Sequence, residues 1–106
     1  MRVLVVDDHP INLELCKIIV SSRGMQVIEA SSGEQAVALA QSEKPDLILM
    51  DIHMPGMSGL EATEIIRQQE HGKHIPIIAV TADAYPEKQQ QFLAHGMVAW
   101  LTKPLN

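Results

Sequence analysis

The chain has 106 residues and a mass of 11.7 kDa, room for one domain and no second core. Eight basic against thirteen acidic residues leave a formal charge of −5, a field that repels nucleic acid and anionic membrane surfaces and argues against either as a direct partner. The lone Cys16 excludes an internal disulfide framework and a thiolate zinc cluster. No apolar run approaches the ~20 residues of a membrane span, and Met1-Arg2-Val3 carries no signal-peptide pattern, so a cytoplasmic protein is expected.

Val3 to Val6 is a continuous apolar run of the kind that buried parallel strands show, and it ends at Asp7-Asp8. Pro10 suits the first turn of a helix. Ile11, Leu15, Ile18 and Ile19 then form one apolar stripe, the face expected to meet the core, with Gly24 as the stop and Cys16 near the stripe as a small core hydrophobe. A weaker strand, Gln26 to Ala30, closes in Ser31-Ser32 without an ionisable group. Ser32-Gly33-Glu34-Gln35 has capping-box spacing ahead of a second helix bearing Ala36, Val37, Leu39 and Ala40.

The third run, Leu47 to Met50, ends at Asp51, and the turn around Pro55-Gly56 leads to Ser58-Gly59-Leu60-Glu61, a second capping box before Ala62, Ile65 and Ile66. His71 and His74 flank Gly72-Lys73 in a loop, where solvated side chains are the plain reading. Ile77 to Val80 ends at Thr81. A fourth helix starts near Pro86 and is the most polar, with Lys88 and three glutamines before Phe92, Leu93 and the stop at His95-Gly96, so it should be the least firmly packed. The last run, Val98 to Leu101, lies just before Lys103.

Alternating strands and helices make an α/β domain with a parallel sheet. Four of the five strands end in a chemically capable residue: Asp7-Asp8, Asp51, Thr81 and Lys103. In a parallel sheet those ends share one edge, and open α/β sheets hold their sites outside the carboxyl ends where strand order reverses. A second strand without such a group fits the sheet margin, which gives the order 2-1-3-4-5. Any one of these aspartates alone would read as a cap or a strand end; the whole set at matching positions reads as a site.

Three carboxylates brought together repel, by about 4 kcal/mol per pair at 4 Å and an effective dielectric near 20. Lys103 supplies one compensating charge, and hard oxygen ligands suit Mg²⁺ held by one or two carboxylates, waters and a phosphate oxygen. Asp8, Asp51, a backbone carbonyl and Mg²⁺ would therefore serve phosphoryl chemistry. No glycine-rich P-loop is present.

The segments Val3-Leu4-Val5-Val6-Asp7-Asp8, Met50-Asp51-Ile52-His53-Met54-Pro55-Gly56-Met57-Ser58-Gly59, Val80-Thr81-Ala82 and Lys103-Pro104 resemble, in order, the receiver domain of two-component response regulators. The phrasing Asp8-His9-Pro10-Ile11-Asn12 and Ile52-His53-Met54-Pro55 is most similar to receivers of hybrid sensor histidine kinases. The resemblance implies a flavodoxin-like domain over residues 1–106, with its fifth helix missing or truncated. It implies a phosphorelay switch whose Asp51 accepts a phosphoryl group from a histidine kinase or a histidine-containing phosphotransfer domain. Such a switch assists its own phosphorylation and dephosphorylation and is no enzyme by itself, although a hybrid kinase parent would be one.

By the same resemblance Asp8, Asp51 and the main-chain carbonyl of His53 would ligate Mg²⁺, with Asp7 acting through water. Thr81 and Lys103 would bind phosphoryl oxygens, Ala82 would leave them room, and Trp100 occupies the switch-aromatic position that is normally Tyr or Phe. His53, beside the path of an attacking water, would tune the lifetime of the phosphoryl group. A sheet face left bare by the missing helix would favour weak self-association. Two other readings compete: a Mg²⁺-dependent aspartyl-phosphate phosphatase of the haloacid dehalogenase kind, which would place an Asp where His53 stands, and a docking module that works without phosphorylation.

Overall fold

The five apolar runs become the five strands of one sheet because each is short, branched and flanked by residues that end it. The structure, a computed structural model, describes residues 1–103. The elements are β1 (Arg2–Val6), α1 (Pro10–Ser22), β2 (Gln26–Ala30), α2 (Gly33–Glu43), β3 (Leu47–Asp51), α3 (Gly59–Arg67), a 3-10 turn (His71–Lys73), β4 (Ile77–Thr81), α4 (Pro86–Ala94) and β5 (Ala99–Thr102). All strand pairs are parallel, in the order β2-β1-β3-β4-β5, with Val3 beside both Val27 and Leu47, Ile48 beside Ile77, and Ile78 beside Ala99. The sheet order is the expected one. Whether a fifth helix begins after the strand concerns Pro104 onward, outside the described residues.

The sheet buries two faces unequally. On one, Leu4, Val6, Ile48, Met50, Ile77 and Ala79 pack with Ala36 and Ala40 of α2, Ala62 and Ile66 of α3 and Phe92 of α4. On the other, Val3, Val5, Leu49 and Val80 pack with Cys16 and Val20 of α1. Helix starts follow local chemistry. Ser58 and Glu61 form the full reciprocal box, each accepting the other's backbone N–H at 3.2 Å. At α2 the box is half formed: Ser32 Oγ accepts from Gln35 N at 3.1 Å, while the Gln35 side chain accepts instead from Ser31 N at 2.6 Å.

One expectation fails. Of the stripe Ile11, Leu15, Ile18 and Ile19, only Ile19 is half-buried; the other three face outward, with Ile11 73% and Ile18 59% exposed, and the helix meets the sheet through Leu13, Cys16 and Val20. The cause lies in the connections. Only residues 7–9 precede α1 and only residues 23–25 follow it before β2, so its rotation is set by where β1 and β2 leave it. The larger stripe loses to the one those short links turn inward.

The two stripes predict opposite outcomes. Val20→Ala should cost about 2 kcal/mol, because two buried methyls are lost, whereas Ile18→Ser should stay within about 0.5 kcal/mol of wild type. Urea unfolding of both variants checks the orientation of α1, and a reversed ranking would refute it.

Candidate functional site

Parallel strands deliver the site. Asp7 follows β1, donating its backbone N–H to Ala30 O at 3.1 Å, and Asp51 and Thr81 are the last residues of β3 and β4. The backbone N–H of Lys103 donates to Thr81 O at 2.8 Å, which carries the β4–β5 ladder one residue further and sets the lysine beside the carboxylates. Asp7 and Asp51 are buried and Asp8 is exposed, and one carboxylate oxygen from each lies within 4.8 Å of the others. The Lys103 ammonium donates to Asp51 Oδ1 at 3.0 Å and lies 3.4 Å from Asp7 Oδ2. Asp7 Oδ1 accepts from His9 N at 2.9 Å, which ties this carboxylate to the start of α1.

Burial pushes the Asp51 carboxyl above its ordinary value; the Lys103 hydrogen bond pulls it back without cancelling the effect, and the charges of Asp7 and Asp8 add to it. Burial alone would lower the Lys103 ammonium, but Asp51 and Asp7 outweigh it and hold it above its ordinary value. One cation therefore faces three anions. A donor set of three clustered carboxylates short of positive charge fits a hard divalent ion such as Mg²⁺.

The loop after Asp51 folds back tightly, with Gly59 N donating to Ile52 O at 2.9 Å. A Cβ at Gly59 would overlap the Asp51 carbonyl, so glycine is needed there for space. Thr81 reaches the site edge, yet its hydroxyl is engaged by its own loop: Asp83 N donates to Oγ1 at 3.1 Å. His53 stands at the mouth, 64% exposed, with Nε2 3.9 Å from Asp83 Oδ2. Asp83 was not singled out from the sequence. Its signal was the spacing, two residues after Thr81 as His53 is two after Asp51. Ala82, Asp7 and Lys103 line a cavity of about 290 Å³ together with Leu15, Cys16 and Val80. Trp100 lies farther off, its ring centroid 6.3 Å from that of Phe92, against the core on the α4 side. Cys16 is buried, and burial with Asp7 nearby pushes its thiol up, as suits an unreactive core residue. His71 and His74 lie at the opposite end of the sheet, about the 3-10 turn.

Residues 3–106 match the response regulator receiver domain family, and the chain belongs to it. It is 43% identical over 108 residues to sensor histidine kinase GacS of Pseudomonas protegens, covering 99% of this chain and 12% of that protein. It is 38% identical over 104 residues to polar-differentiation response regulator DivK of Brucella ovis, covering 98% of this chain and 85% of the relative. Among solved structures, chemotaxis protein CheY4 of Vibrio cholerae superposes with a TM-score of 0.95 at 36% identity, over 99% of this chain and 88% of that one. The receiver domain of a Pseudomonas aeruginosa sensor histidine kinase, solved with a magnesium ion coordinated in its active site cleft, gives 0.91 at 38% identity, over 99% and 86%. The chain is a receiver domain of two-component signalling with the fold of CheY-type regulators. No helix of the described residues is long and apolar enough to cross a membrane.

The raised Asp51 carboxyl has a consequence for stability. Its proton is held more tightly in the folded than in the unfolded chain, so ionised Asp51 weakens the fold at neutral pH, and that penalty is relieved as pH falls through the raised value. In chelator, Asp51→Asn should melt above wild type at about pH 7, and the gap should narrow toward about pH 4. Calorimetry at both ends reads it; a variant that melts lower, or a gap independent of pH, would show that repulsion and burial do not govern this carboxylate.

Proposed function

We propose that this domain is a cytoplasmic phosphoacceptor of a two-component phosphorelay, with Asp51 as the residue that carries the phosphoryl group. The observation that supports it most is the placement of Asp51 in a buried pocket at the end of an inner strand, 3.0 Å from an ammonium and within reach of two further carboxylates. An Asp51 carboxylate oxygen attacks the phosphorus of a phosphohistidine in line. The P–N bond breaks, the imidazole leaves and takes up a proton, and an acyl phosphate forms.

Catalysis of such a step is positioning plus neutralisation of charge on the transferring oxygens. Lys103 is the resident cation for that work. Asp8, Asp51 and the His53 main-chain carbonyl would hold Mg²⁺, with Asp7 acting through water, and the ion would supply the counter-charge that one lysine cannot. Ala82 leaves the space for phosphoryl oxygens. Once they are present, the Thr81 hydroxyl turns its proton from Asp83 O, 3.4 Å away, to one of them, its bond from Asp83 N is given up as it turns, and the displaced loop carries the signal to α4 and to Trp100 against Phe92. His53, across the mouth from Asp83, limits the approach of water and so sets phosphoryl lifetime.

The donor is a histidine kinase or a histidine-containing phosphotransfer domain. Supporting that choice is the outward stripe Ile11, Leu15, Ile18, which starts three residues from Asp8 and offers a helical partner an apolar face. Weak pairing with a second copy would use the exposed Leu101 and the cavity beside α1, and sedimentation at several concentrations reads it. This chain spans a small part of the GacS kinase and most of the DivK regulator named above, and residues 1–106 would act as one domain in either setting.

With Mg²⁺ and acetyl phosphate the wild type should gain one phosphoryl mass, and Asp51→Asn, though folded, should gain none; full labelling of that variant would end the assignment. Mg²⁺ at tenfold over its dissociation constant should stabilise the wild type by about 1.4 kcal/mol. A melting curve unmoved by saturating Mg²⁺ would remove the metal site.

A further inference from the structure

Arg67, in the last turn of α3, has no carboxylate partner among the described residues. Its guanidinium serves main-chain carbonyls instead. Nε and Nη2 donate to Gly96 O at 3.0 and 2.6 Å, and Nη1 donates to Gly72 O at 2.7 Å and Ile75 O at 2.6 Å. One side chain thus gathers the turn that leaves α4, the 3-10 turn and the residues leading into β4. Gly96 has a φ of +103°, and a Cβ there would meet the Arg67 side chain at 3.1 Å, so the turn is shaped around the arginine. A second link lies beside it, His95 Nε2 being 3.0 Å from Glu64 Oε1 on α3.

The two ends of α4 are held differently. Phe92, the buried residue of the helix, and both α3 links lie at its C-terminal end. At the other end Tyr85 is 63% exposed and makes no side-chain cap, Gln89 Nε2 bonds only the nearby Ala84 O, and the tie to the site is the Thr81–Asp83 pair.

We propose that Arg67 is the pivot of the domain's conformational response: it fixes the Gly96 end of α4 on α3, so that release of Asp83 by Thr81 swings the Tyr85 end alone. This rests on the reading of Thr81 given above. A helix gripped at one end and released at the other reorients without leaving its core position, so the surface that changes is the one around Ala82 to Lys88. Arg67 acts through Gly96 and is a positioning residue.

Backbone NMR of the full chain, with Mg²⁺ and with or without beryllofluoride as the phosphoryl mimic, tests this. In wild type, shift changes should be large from Ala82 to Gln89 and fall away by His95 to Val98. In Arg67→Gln the changes should extend to Val98, and amide exchange at Met97 and Val98 should quicken by about tenfold without the mimic. Arg67→Lys keeps the charge but lacks the planar fork, and it should behave like Arg67→Gln. Equal changes at both ends of wild-type α4, or a gradient that survives in Arg67→Gln, would overturn the pivot. The wild-type gradient decides by itself if the variants do not fold. A response at Thr81 without the gradient removes the pivot alone; no response at Thr81, together with no phosphoryl mass on Asp51, removes the underlying reading and the pivot with it.

Discussion

One ammonium set among three carboxylates is the constraint from which the rest of this molecule follows. Lys103 reaches Asp51 and Asp7 at 3.0 and 3.4 Å, and Asp8 completes a group that one positive charge cannot balance. The buried carboxylates of Asp7 and Asp51 repel with little water to screen them, and exposed Asp8 adds a weaker, screened repulsion. A sequence does not keep such a group for folding. On the reading proposed above, the imbalance would let a cation and an anion, a metal and a phosphoryl group, enter the same pocket as a matched pair.

The sheet meets this cost with rigidity elsewhere. Leu4, Ile48, Met50 and Ile77 are fully buried in the strands directly behind the site, and α2 and α3 cover them with small residues at close range. The strained chemistry is confined to the carboxyl ends of the strands, where loops already leave the sheet. Gly59 lets α3 begin against the main-chain carbonyl of Asp51, which fixes the backbone from which that acid projects.

What could be read from the sequence was what depends on position along one strand or one helix turn. Apolar runs bounded by Asp51, Thr81 and Lys103 gave the sheet, its order and the convergence of the site, because a parallel sheet carries every strand end to one edge. The Ser58–Glu61 box was legible for the same reason. Features that depend on how elements face one another were not. The rotation of α1 was misjudged because its apolar residues form two stripes and periodicity cannot rank them. Arg67 escaped notice because the carbonyls it serves, at Gly72, Ile75 and Gly96, carry no spacing signal, while Asp83 stood at a legible spacing, two residues after Thr81, with nothing local to mark His53 across the mouth.

The misjudged stripe is itself informative. A helix with Leu13, Cys16 and Val20 on the sheet needs nothing apolar on its far side, yet Ile11 and Ile18 stand there largely in water. Exposed isoleucines on a helix give no burial energy and carry an association hazard, and Ile11 and Ile18 at i and i+7, with Leu15 between, form the stripe on which the partner proposed above would sit. That contact would lie one helical turn from Asp8, over the open side of the pocket. A partner helix seated on this stripe would be held at the one edge of the sheet where its own reactive side chain could meet Asp51, and the α4 end that answers would remain free on the other side.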